Sequence, residues 1–243
     1  MKNFLSFITE DLDYIRDISH FHIIPNSQKG TNPGAVMKHP VTGEHHYVKF
    51  YSNHNQARSE VAAGGIYNML GAKTVNPYLA KYNGHVGVGS KWNPDLAPLK
   101  SHDFNGLPDT HLHDLANHFH AAVLTKNWDV DHTSHNIMKH KYDDQYHASD
   151  LGGTFEHRGG GGGHKDYGSD VMEFHSLRNR AVNPYASTVF KGLTAAHMAH
   201  TKPNLQSLSH EKVHTLFSTV GLNNPADKTA TLMARRDLLL KKI

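Results

Sequence analysis

The sequence predicts an α+β protein with two lobes: a β-rich N-terminal lobe with one main helix, followed by a mostly helical C-terminal lobe. Two patterns support this class. Short aromatic and β-branched runs alternate with turn residues between positions 20 and 52, whereas apolar residues recur at helical spacing after Asn55 and again from about residue 111. We place the lobes at 1–95 and 96–243. A chain of 243 residues is long enough to bury a core without disulfides.

The N-terminal lobe is expected to contain short strands and one helix. Aromatic and β-branched residues between turn residues predict the strands at 35–37, 46–51, 76–82 and 85–91. Ala57, Val61 and Ile66 recur at helical spacing and predict the helix. Gly71 suits the C-terminal end of this helix, because glycine tolerates the left-handed conformation found there.

The C-terminal lobe is expected to combine helices with one long irregular region. Residues 111–125 have an amphipathic pattern, and residues 127–185 are expected to be rich in loops. Thr194, Ser209 and Asn224 are of the residue types that cap helix N-termini, so they predict three terminal helices.

The composition excludes several classes of protein. The chain has no cysteine, so disulfide frameworks, thiolate metal sites and cysteine nucleophiles are excluded. A net charge of +3 is too weak to predict nucleic-acid binding. No apolar run approaches the roughly 20 residues that span a bilayer, and the acidic residues that follow the first apolar run make a poor signal peptide. We therefore expect a cytoplasmic location.

Histidine is unusually abundant, with 23 copies. On a helix, His111 shares a face with His118, and His113 shares one with His120. A zinc site needs three or four converging ligands, so we favour surface histidines on a polar face over a structural zinc site.

Several segments contain residue types that phosphoryl transfer requires. Residues 27–34 form a turn with two glycines, whose free amides can hold phosphate oxygens, although an ordinary hairpin loop has the same composition. Lys49 lies on a predicted strand and Glu60 in the following helix. A lysine held by a glutamate makes a fixed cation for phosphates, and the alternative is a solvent-facing strand lysine.

Carboxylates and one amide follow later in the chain. Asp129 is the candidate catalytic base, Asp131 is its rival, and Asn136 is a candidate metal ligand seven positions after Asp129. Asp150 is followed by small residues and is a second candidate metal ligand. Oxygen donors of this kind suit Mg²⁺ or Mn²⁺, although capping and turn roles are common for these residues.

These motifs, in this order, resemble an atypical branch of the protein-kinase-like superfamily. The related proteins are HipA-like, actin-fragmin-kinase-like and phosphatidylinositol 3/4-kinase-like, with a bacterial or phage-associated branch nearest. The resembling stretches lie between residues 26 and 190: 30–34, 47–51, 56–61, 127–130, 136–137, 150–153 and 176–179.

The resemblance implies a two-lobed protein-kinase-like fold and a role for each matching residue. Lys49 would bind ATP phosphates and Glu60 would hold it, while Asn136 and Asp150 would bind Mg²⁺ or Mn²⁺. The remaining expected nucleotide contacts are Gly30, Thr31, Asn32 and Gly34 in the turn, and Lys91 and Trp92 in a hinge at 90–92. No arginine follows Asp129, so the choice between Asp129 and Asp131 as the base stays open.

We therefore expect an ATP- and Mg²⁺-dependent phosphotransferase that acts on a hydroxyl of a protein or small molecule, in the host cytoplasm if the chain is phage-encoded. The alternatives are a nucleotide-binding pseudokinase, an AMP-transferase on the same fold, and a His-rich interaction protein without catalysis. Residues 159–163 are all glycine. This run is either a lid whose neighbours Arg158, His164 and Lys165 meet an anionic substrate, or a flexible loop, which we favour.

Overall fold

The computed structural model describes residues 15–28, 32–133, 135–143, 145–159 and 163–243. It contains a six-stranded sheet in the order β1-β6-β7-β4-β3-β2. β1 pairs with β6 in parallel and the other neighbours are antiparallel. The strands of this sheet are β1 (Ile15–Asp17), β2 (His22–Ile23), β3 (Gly34–Lys38), β4 (His45–Phe50), β6 (Tyr78–Tyr82) and β7 (His85–Lys91).

Strand β4 separates two environments because successive side chains point to opposite faces of a sheet. Val48 is fully buried in a small cluster with Met37 and Ala80, and Phe50 packs against that cluster. Tyr47 and Lys49 line a cleft on the opposite face. The alternation along this strand therefore turns the lysine inward, away from the small apolar cluster.

The cleft face of the sheet is covered by α1 (His54–Met69), which is the helix predicted in this lobe. It begins slightly earlier than the sequence pattern indicated. Asn53 caps it by accepting a hydrogen bond from the backbone N–H of Asn55. Gly71 has a φ of 80°, the left-handed conformation expected after the helix end.

A second sheet was not predicted. It has four strands in the order β5-β10-β9-β8, and their bounds are β5 (Lys73–Thr74), β8 (Leu96–Pro98), β9 (Ile137–His140) and β10 (Tyr146–Ala148). Two of these strands lie inside residues 127–185, although most of the described residues in that stretch are outside helices and strands, as expected. The strands are two to four residues long and partly polar. β9 and β10 form a local antiparallel pair, and the distant strands β8 and β5 pair with its two edges.

The helices of the second half surround a large apolar core. A 3₁₀ turn at Ser101–Phe104 precedes α2 (Asp109–Leu124), which matches the amphipathic pattern. The later helices are α3 (Glu173–Ser176), α4 (Pro184–Phe190), α5 (Ala195–His200), α6 (Lys202–Ser207), α7 (His210–Val220) and α8 (Pro225–Leu240). None of the helices in the described ranges is long and apolar enough to cross a membrane.

Two expectations about the C-terminal helices need correction. Thr194 and Ser209 cap α5 and α7 as predicted. Asn224 precedes α8, but its backbone is left-handed, with a φ of 51°, and its side chain makes no capping hydrogen bond. The described chain also has four helices after residue 194, since α6 follows α5 almost immediately.

Candidate active site

A cleft of about 1370 Å³ lies beside the six-stranded sheet. The sheet, α1 and the loops that follow α2 and β10 contribute to its lining. Eight of the candidate catalytic, nucleotide-binding and metal-binding residues line it: Asn32, Lys49, Glu60, Lys91, Trp92, Asp129, Asn136 and Asp150. Folding therefore brings together candidates that are up to 118 positions apart (150 − 32) in the chain.

Lys49 is held between two carboxylates. Its Nζ lies 2.9 Å from Glu60 Oε1 and 2.8 Å from Asp150 Oδ1. Although burial disfavours the charged lysine, the adjacent charges of Glu60 and Asp150 outweigh it and hold the pKa of Lys49 well above its usual value. The side chain therefore remains a fixed cation in the cleft at neutral pH.

Glu60 connects three segments of the site. Its side chain is 1% exposed, and its second oxygen accepts a hydrogen bond of 2.6 Å from the Tyr51 hydroxyl. Glu60 Oε1 also accepts a hydrogen bond of 3.4 Å from the backbone N–H of Leu151. The glutamate thus fixes the position of Lys49 relative to the segment that follows Asp150.

Asp150 is the exposed member of the cluster, with 45% of its side chain accessible. Its Oδ1 accepts hydrogen bonds from Lys49 and from the backbone N–H of Gly152, the latter at 3.1 Å. Burial would raise the pKa of Asp150, but the Lys49 charge and these hydrogen bonds lower it below its usual value. Asp150 is therefore an ionised oxygen donor at the cleft surface.

The loop after α2 holds Asp129 through its backbone. Asp129 donates its N–H to the side chain of Asn127 at 3.0 Å, and its carbonyl accepts a hydrogen bond of 2.9 Å from Asn136 Nδ2. Partial burial, together with the negative charges of Asp150 and Asp131, raises the pKa of Asp129. A carboxylate with a raised pKa accepts a proton more readily than an ordinary aspartate.

Asp131 is placed differently from Asp129. It is not among the residues that line the cleft. Its Oδ1 accepts hydrogen bonds from the N–H and the hydroxyl of Thr133, at 2.7 and 2.8 Å. This geometry is that of a turn-forming aspartate, and Asp129 is the candidate with a side chain at the cleft.

The expected phosphate-binding turn is described only in part. Gly30 and Thr31 lie outside the described residues. Asn32 lines the cleft, whereas Gly34 pairs with Lys49 across the β3–β4 ladder and is not part of the lining. A side-chain carbon at position 34 would lie 2.7 Å from the carbonyl oxygen of Val48, so the glycine permits close strand packing there.

The expected hinge lies at one end of the cleft. Ser90, Lys91 and Trp92 line it, and the Trp92 N–H donates to the carbonyl of His45 at 2.8 Å, which extends the β4–β7 pairing. The Lys91 ammonium is paired with the Glu44 carboxylate. Apolar side chains nearby give this end of the cleft a surface suited to a flat ring: Val75, Val88, Leu96 and Met138.

The donor set near Asp150 fits a cation of the Mg²⁺ type that is shared with a ligand. The carboxylate of Asp150 and the side-chain oxygen of Asn136 are hard donors, and the amide nitrogen of Asn136 is already engaged with Asp129. Within the described ranges, no group of three or more His, Cys, Asp or Glu residues is arranged to hold a metal alone. Mg²⁺ commonly binds through one or two carboxylates plus substrate phosphates, which this arrangement permits.

A buried support behind Asp129 was not predicted. Trp128 donates its indole N–H to Glu173 Oε1 at 3.0 Å, and Glu173 Oε2 accepts a hydrogen bond of 2.6 Å from Arg235. Arg235 is 0% exposed and also donates to the carbonyls of Val123 and Leu124. Arg235 lies in the second half of the last helix, next to Arg236, and only tertiary contacts reveal its buried role.

The histidine expectation was wrong at two positions. His118 and His120 are buried, at 2% and 1% exposure, and are not surface residues. His118 Nε2 contacts the carbonyl of Tyr146 at 3.1 Å, and His120 Nδ1 contacts the Thr201 hydroxyl at 2.9 Å. Burial lowers the pKa of His120 to about 3, so this ring is neutral in the folded protein.

The chain has a two-lobed protein-kinase-like fold. Its β-rich half has the inward-facing lysine and one large helix, and its helical half supplies the loops with the carboxylates. The chain is similar to the crystal structure of a Helicobacter pylori proinflammatory kinase, CtkA. The TM-score is 0.58 with 17% sequence identity, over 93% of this chain and 94% of that chain. At this identity the likeness shows the fold alone.

The sequence comparisons add no relative. No protein-family model matches the chain, and no curated protein matches it.

Proposed function

We propose that this protein is an ATP- and Mg²⁺-dependent phosphotransferase that acts on a hydroxyl group. The observation that carries the proposal is the Lys49 ammonium fixed at 2.9 Å from Glu60 and 2.8 Å from Asp150, in a cleft that Asp129 and Asn136 also line. Phosphoryl transfer needs a cation for the phosphates, oxygen donors for the metal and a base for the acceptor, and these residues supply all three.

Each residue has a role that follows from its position. Lys49 would bind the phosphates as a cation oriented by Glu60, and the hinge residues would receive the base of the nucleotide. Asp129 would accept the proton of the acceptor hydroxyl, and its raised pKa suits proton transfer. Asp150 and Asn136 would hold Mg²⁺, which offsets charge on the phosphates when bound.

The resemblance to HipA-like, actin-fragmin-kinase-like and phosphatidylinositol 3/4-kinase-like proteins belongs to this proposal, as does a bacterial or phage origin. The likeness to the Helicobacter pylori kinase supports the fold on which the proposal depends. The acceptor is a protein or small-molecule hydroxyl, and the described site has no feature that requires nucleic acid.

Product analysis tests the reaction. The full chain is incubated with Mg²⁺ and ATP, and the mass of each modified product is measured. We expect addition of a phosphoryl group that requires Mg²⁺. Addition of an adenylyl group would show an AMP-transferase, and nucleotide binding without any product would show a pseudokinase. The absence of nucleotide binding would reject the proposal and favour an interaction protein.

Matched variants identify the base. Asp129→Asn should lower the rate by about a hundredfold or more, since a general base contributes at least that much in many enzymes. Asp131→Asn neutralises a carboxylate that does not line the cleft and keeps an acceptor oxygen for the turn, so we expect a much smaller loss. The reverse order of effects would assign the base to Asp131.

A further inference from the structure

One end of the cleft is basic. Lys126, Arg158 and Lys165 all line it close to Asp129. Gly159, the neighbour of Arg158, packs so closely on Asp129 that a side-chain carbon there would clash with the carboxylate. Lys165 Nζ lies 2.6 Å from the carbonyl oxygen of Gly153, and a side-chain carbon at Gly153 would lie 3.2 Å from Asp129 Cβ. The cations therefore flank the proposed catalytic base.

Lys165 retains hydrogen-bonding capacity. Its ammonium donates to the carbonyls of Lys126 and Gly153, both at 2.6 Å, and an ammonium has three N–H groups. Within the described ranges, neither Lys165 nor Arg158 forms an ion pair with a carboxylate. By contrast, Lys49 and Lys91, the lysines elsewhere in the cleft, are both paired.

Lys126 is held in an unusual backbone conformation. Its φ of 53° lies in the left-handed region, which is strained for a non-glycine residue and is often found at functional sites. Its ammonium is 3.9 Å from Asp170 and 4.0 Å from Glu173, near the limit of an ion pair. The turn at Lys126 also presents the carbonyl that anchors Lys165.

The charges of this end are poorly balanced by the protein itself. Burial lowers the pKa of Lys165 to about 8; Glu173 and Asp129 oppose this shift, whereas the charges of Lys126 and Arg158 add to it. Besides Asp129, the carboxylate of Asp166 lines the cleft at this end. Its Oδ2 lies close to Gly168, 3.2 Å from the place where a side-chain carbon of residue 168 would be. An anionic ligand would relieve the repulsion among the three cations.

The cleft has room for a second ligand. Small-molecule sites usually enclose about 300–1,000 Å³, whereas this cleft encloses about 1370 Å³. A nucleotide that lies between the hinge and Lys49 would leave the basic end open. A phosphate monoester suits this end, since it carries a charge of about −1.5 to −2 at neutral pH and three acceptor oxygens, whereas a carboxylate carries only one charge.

We propose that this basic end is the acceptor subsite and that the acceptor is a phosphate monoester with a free hydroxyl. Its phosphate is held by Lys126, Arg158 and Lys165, and its hydroxyl faces Asp129. This inference rests on the proposed function and names its substrate class. Asp129 takes the hydroxyl proton, the acceptor oxygen bonds to the γ-phosphorus of ATP, and the bond to the β-phosphate oxygen breaks with its electron pair leaving on ADP.

The test measures binding to the full chain saturated with Mg²⁺ and a non-hydrolysable ATP analogue, so that the Lys49 site is filled. Glycerol 3-phosphate is titrated, with glycerol as the matched neutral probe. We expect the phosphate to bind and glycerol not to bind. Arg158→Gln and Lys165→Gln should each weaken phosphate binding at least tenfold, and Lys81→Gln, an exposed strand residue outside the cleft, should have no effect.

A second arm distinguishes the source of the phosphate. A peptide with a phosphoserine beside a serine is titrated in the same way. Tight binding by the peptide alone would support the phosphate subsite and identify its source as a protein. Arg158 is exposed, so Arg158→Gln tests the subsite even if Lys165→Gln fails to fold.

The outcomes separate this inference from the proposed function. If both variants bind the phosphate probe as the wild type does, the inference is overturned. The inference is also overturned if the two variants bind the nucleotide analogue more weakly but bind glycerol 3-phosphate as the wild type does, because the cations then bind the nucleotide. Loss of nucleotide binding by the wild type rejects the proposed function itself, whereas nucleotide binding without any phosphate preference rejects only this inference.

Discussion

Lys49 is paired with two carboxylates whose surroundings differ. Glu60 is almost fully buried, whereas Asp150 has nearly half of its side chain exposed. Removing one partner of a buried ion pair leaves an uncompensated charge, but removing an exposed partner does not. This contrast allows structural and catalytic contributions to be measured separately.

The first prediction compares Lys49→Met with Asp150→Asn. Lys49→Met leaves the Glu60 carboxylate buried without its cation and should lower the free energy of unfolding by about 3–5 kcal/mol. Asp150→Asn preserves the Lys49–Glu60 pair and should cost about 1 kcal/mol or less, yet it should lower Mg²⁺-dependent turnover by roughly a hundredfold. Urea unfolding and steady-state kinetics measure both. Equal destabilisation by the two variants would contradict the assigned burial.

The second prediction concerns Asp129, whose pKa is raised. In the folded state this carboxyl holds its proton more tightly than in the unfolded chain, so ionisation as the pH rises through the raised pKa costs stability. Asp129→Asn should therefore raise the unfolding temperature at pH 7, and the gain should shrink as the pH falls. The same variant should lose activity.

Thermal unfolding across pH provides the check for Asp129. A variant that is less stable than the wild type at pH 7 would show that the charge of Asp129 stabilises the fold. Asp131→Asn is the control, because it removes a charge outside the cleft while its remaining side-chain oxygen can still accept from the Thr133 N–H, so the unfolding temperature should change less than with Asp129→Asn.

Residues differ in how well the sequence predicts their partners and burial. Lys49 and Glu60 were predictable because a strand lysine precedes a helical glutamate, and the structure pairs them. Arg235 was not predictable. Basic residues near a helix end are ordinarily exposed, and the buried carboxylate that pairs with Arg235 is 62 positions away in the chain.

At the scale of elements, the segment after Asp150 is fixed against β4 and α1. Gln56 donates from α1 to the carbonyl of Gly152 at 2.9 Å, and Tyr51 donates to Glu60. A side-chain carbon at Gly152 would clash with the Tyr51 hydroxyl and lie 3.0 Å from Tyr51 Cζ. The glycine is required because the strand and this loop approach so closely.

The third prediction is that Gly152→Ala lowers turnover by displacing Asp150 from Lys49, while Lys81→Ala, outside the cleft, has no effect. Tyr51→Phe removes the clashing oxygen, so the Gly152→Ala, Tyr51→Phe double variant should recover part of the lost activity. Steady-state kinetics of the three variants in a double-mutant cycle measure the coupling. Strictly additive losses would contradict the close approach.

Helix α8 supports the loop that contains Trp128 and Asp129, because Arg235 binds Glu173 and Glu173 binds Trp128. The fourth prediction is that Arg235→Met lowers the free energy of unfolding by about 3–5 kcal/mol, because it leaves Glu173 buried without its cation. Arg236→Met is the matched control at the next position, where the side chain is partly exposed, and it should cost about 1 kcal/mol or less.

Trp128 gives an independent measurement for the support behind the loop. Its indole shares Glu173 with Arg235, so Arg235→Met should also change the intrinsic fluorescence, to which only two tryptophans contribute. Unchanged fluorescence together with unchanged stability would contradict the proposed support.

Among the elements, those with a long local pattern were predictable. The helices α1 and α2 each have 16 residues and were indicated by apolar spacing. The second sheet was missed because its strands are short and two of its three pairings join distant segments, as in the pairing of Ala97 with Lys139 and of His147 with Lys73. Local sequence carries little information about such pairings.

For the whole molecule, the sequence order of motifs indicated the two-lobed fold, and the structural likeness to a kinase confirms that class. The basic end of the cleft was anticipated only as one of two interpretations of the glycine run. The structure supplies the missing geometry, because Lys165 donates to the carbonyls of Lys126 and Gly153, and all three basic residues line the cleft.

The central claim is that Lys49, Asp129 and Asp150 surround one Mg²⁺-bound nucleotide. Calorimetric titration of the full chain with ATP, with and without Mg²⁺, tests it most directly, using Lys49→Met and the control Lys81→Gln. We predict Mg²⁺-dependent binding by the wild type and the control, and at least tenfold weaker binding by Lys49→Met in protein confirmed as folded. Absence of binding by the wild type, or equal binding by folded Lys49→Met, would contradict the claim.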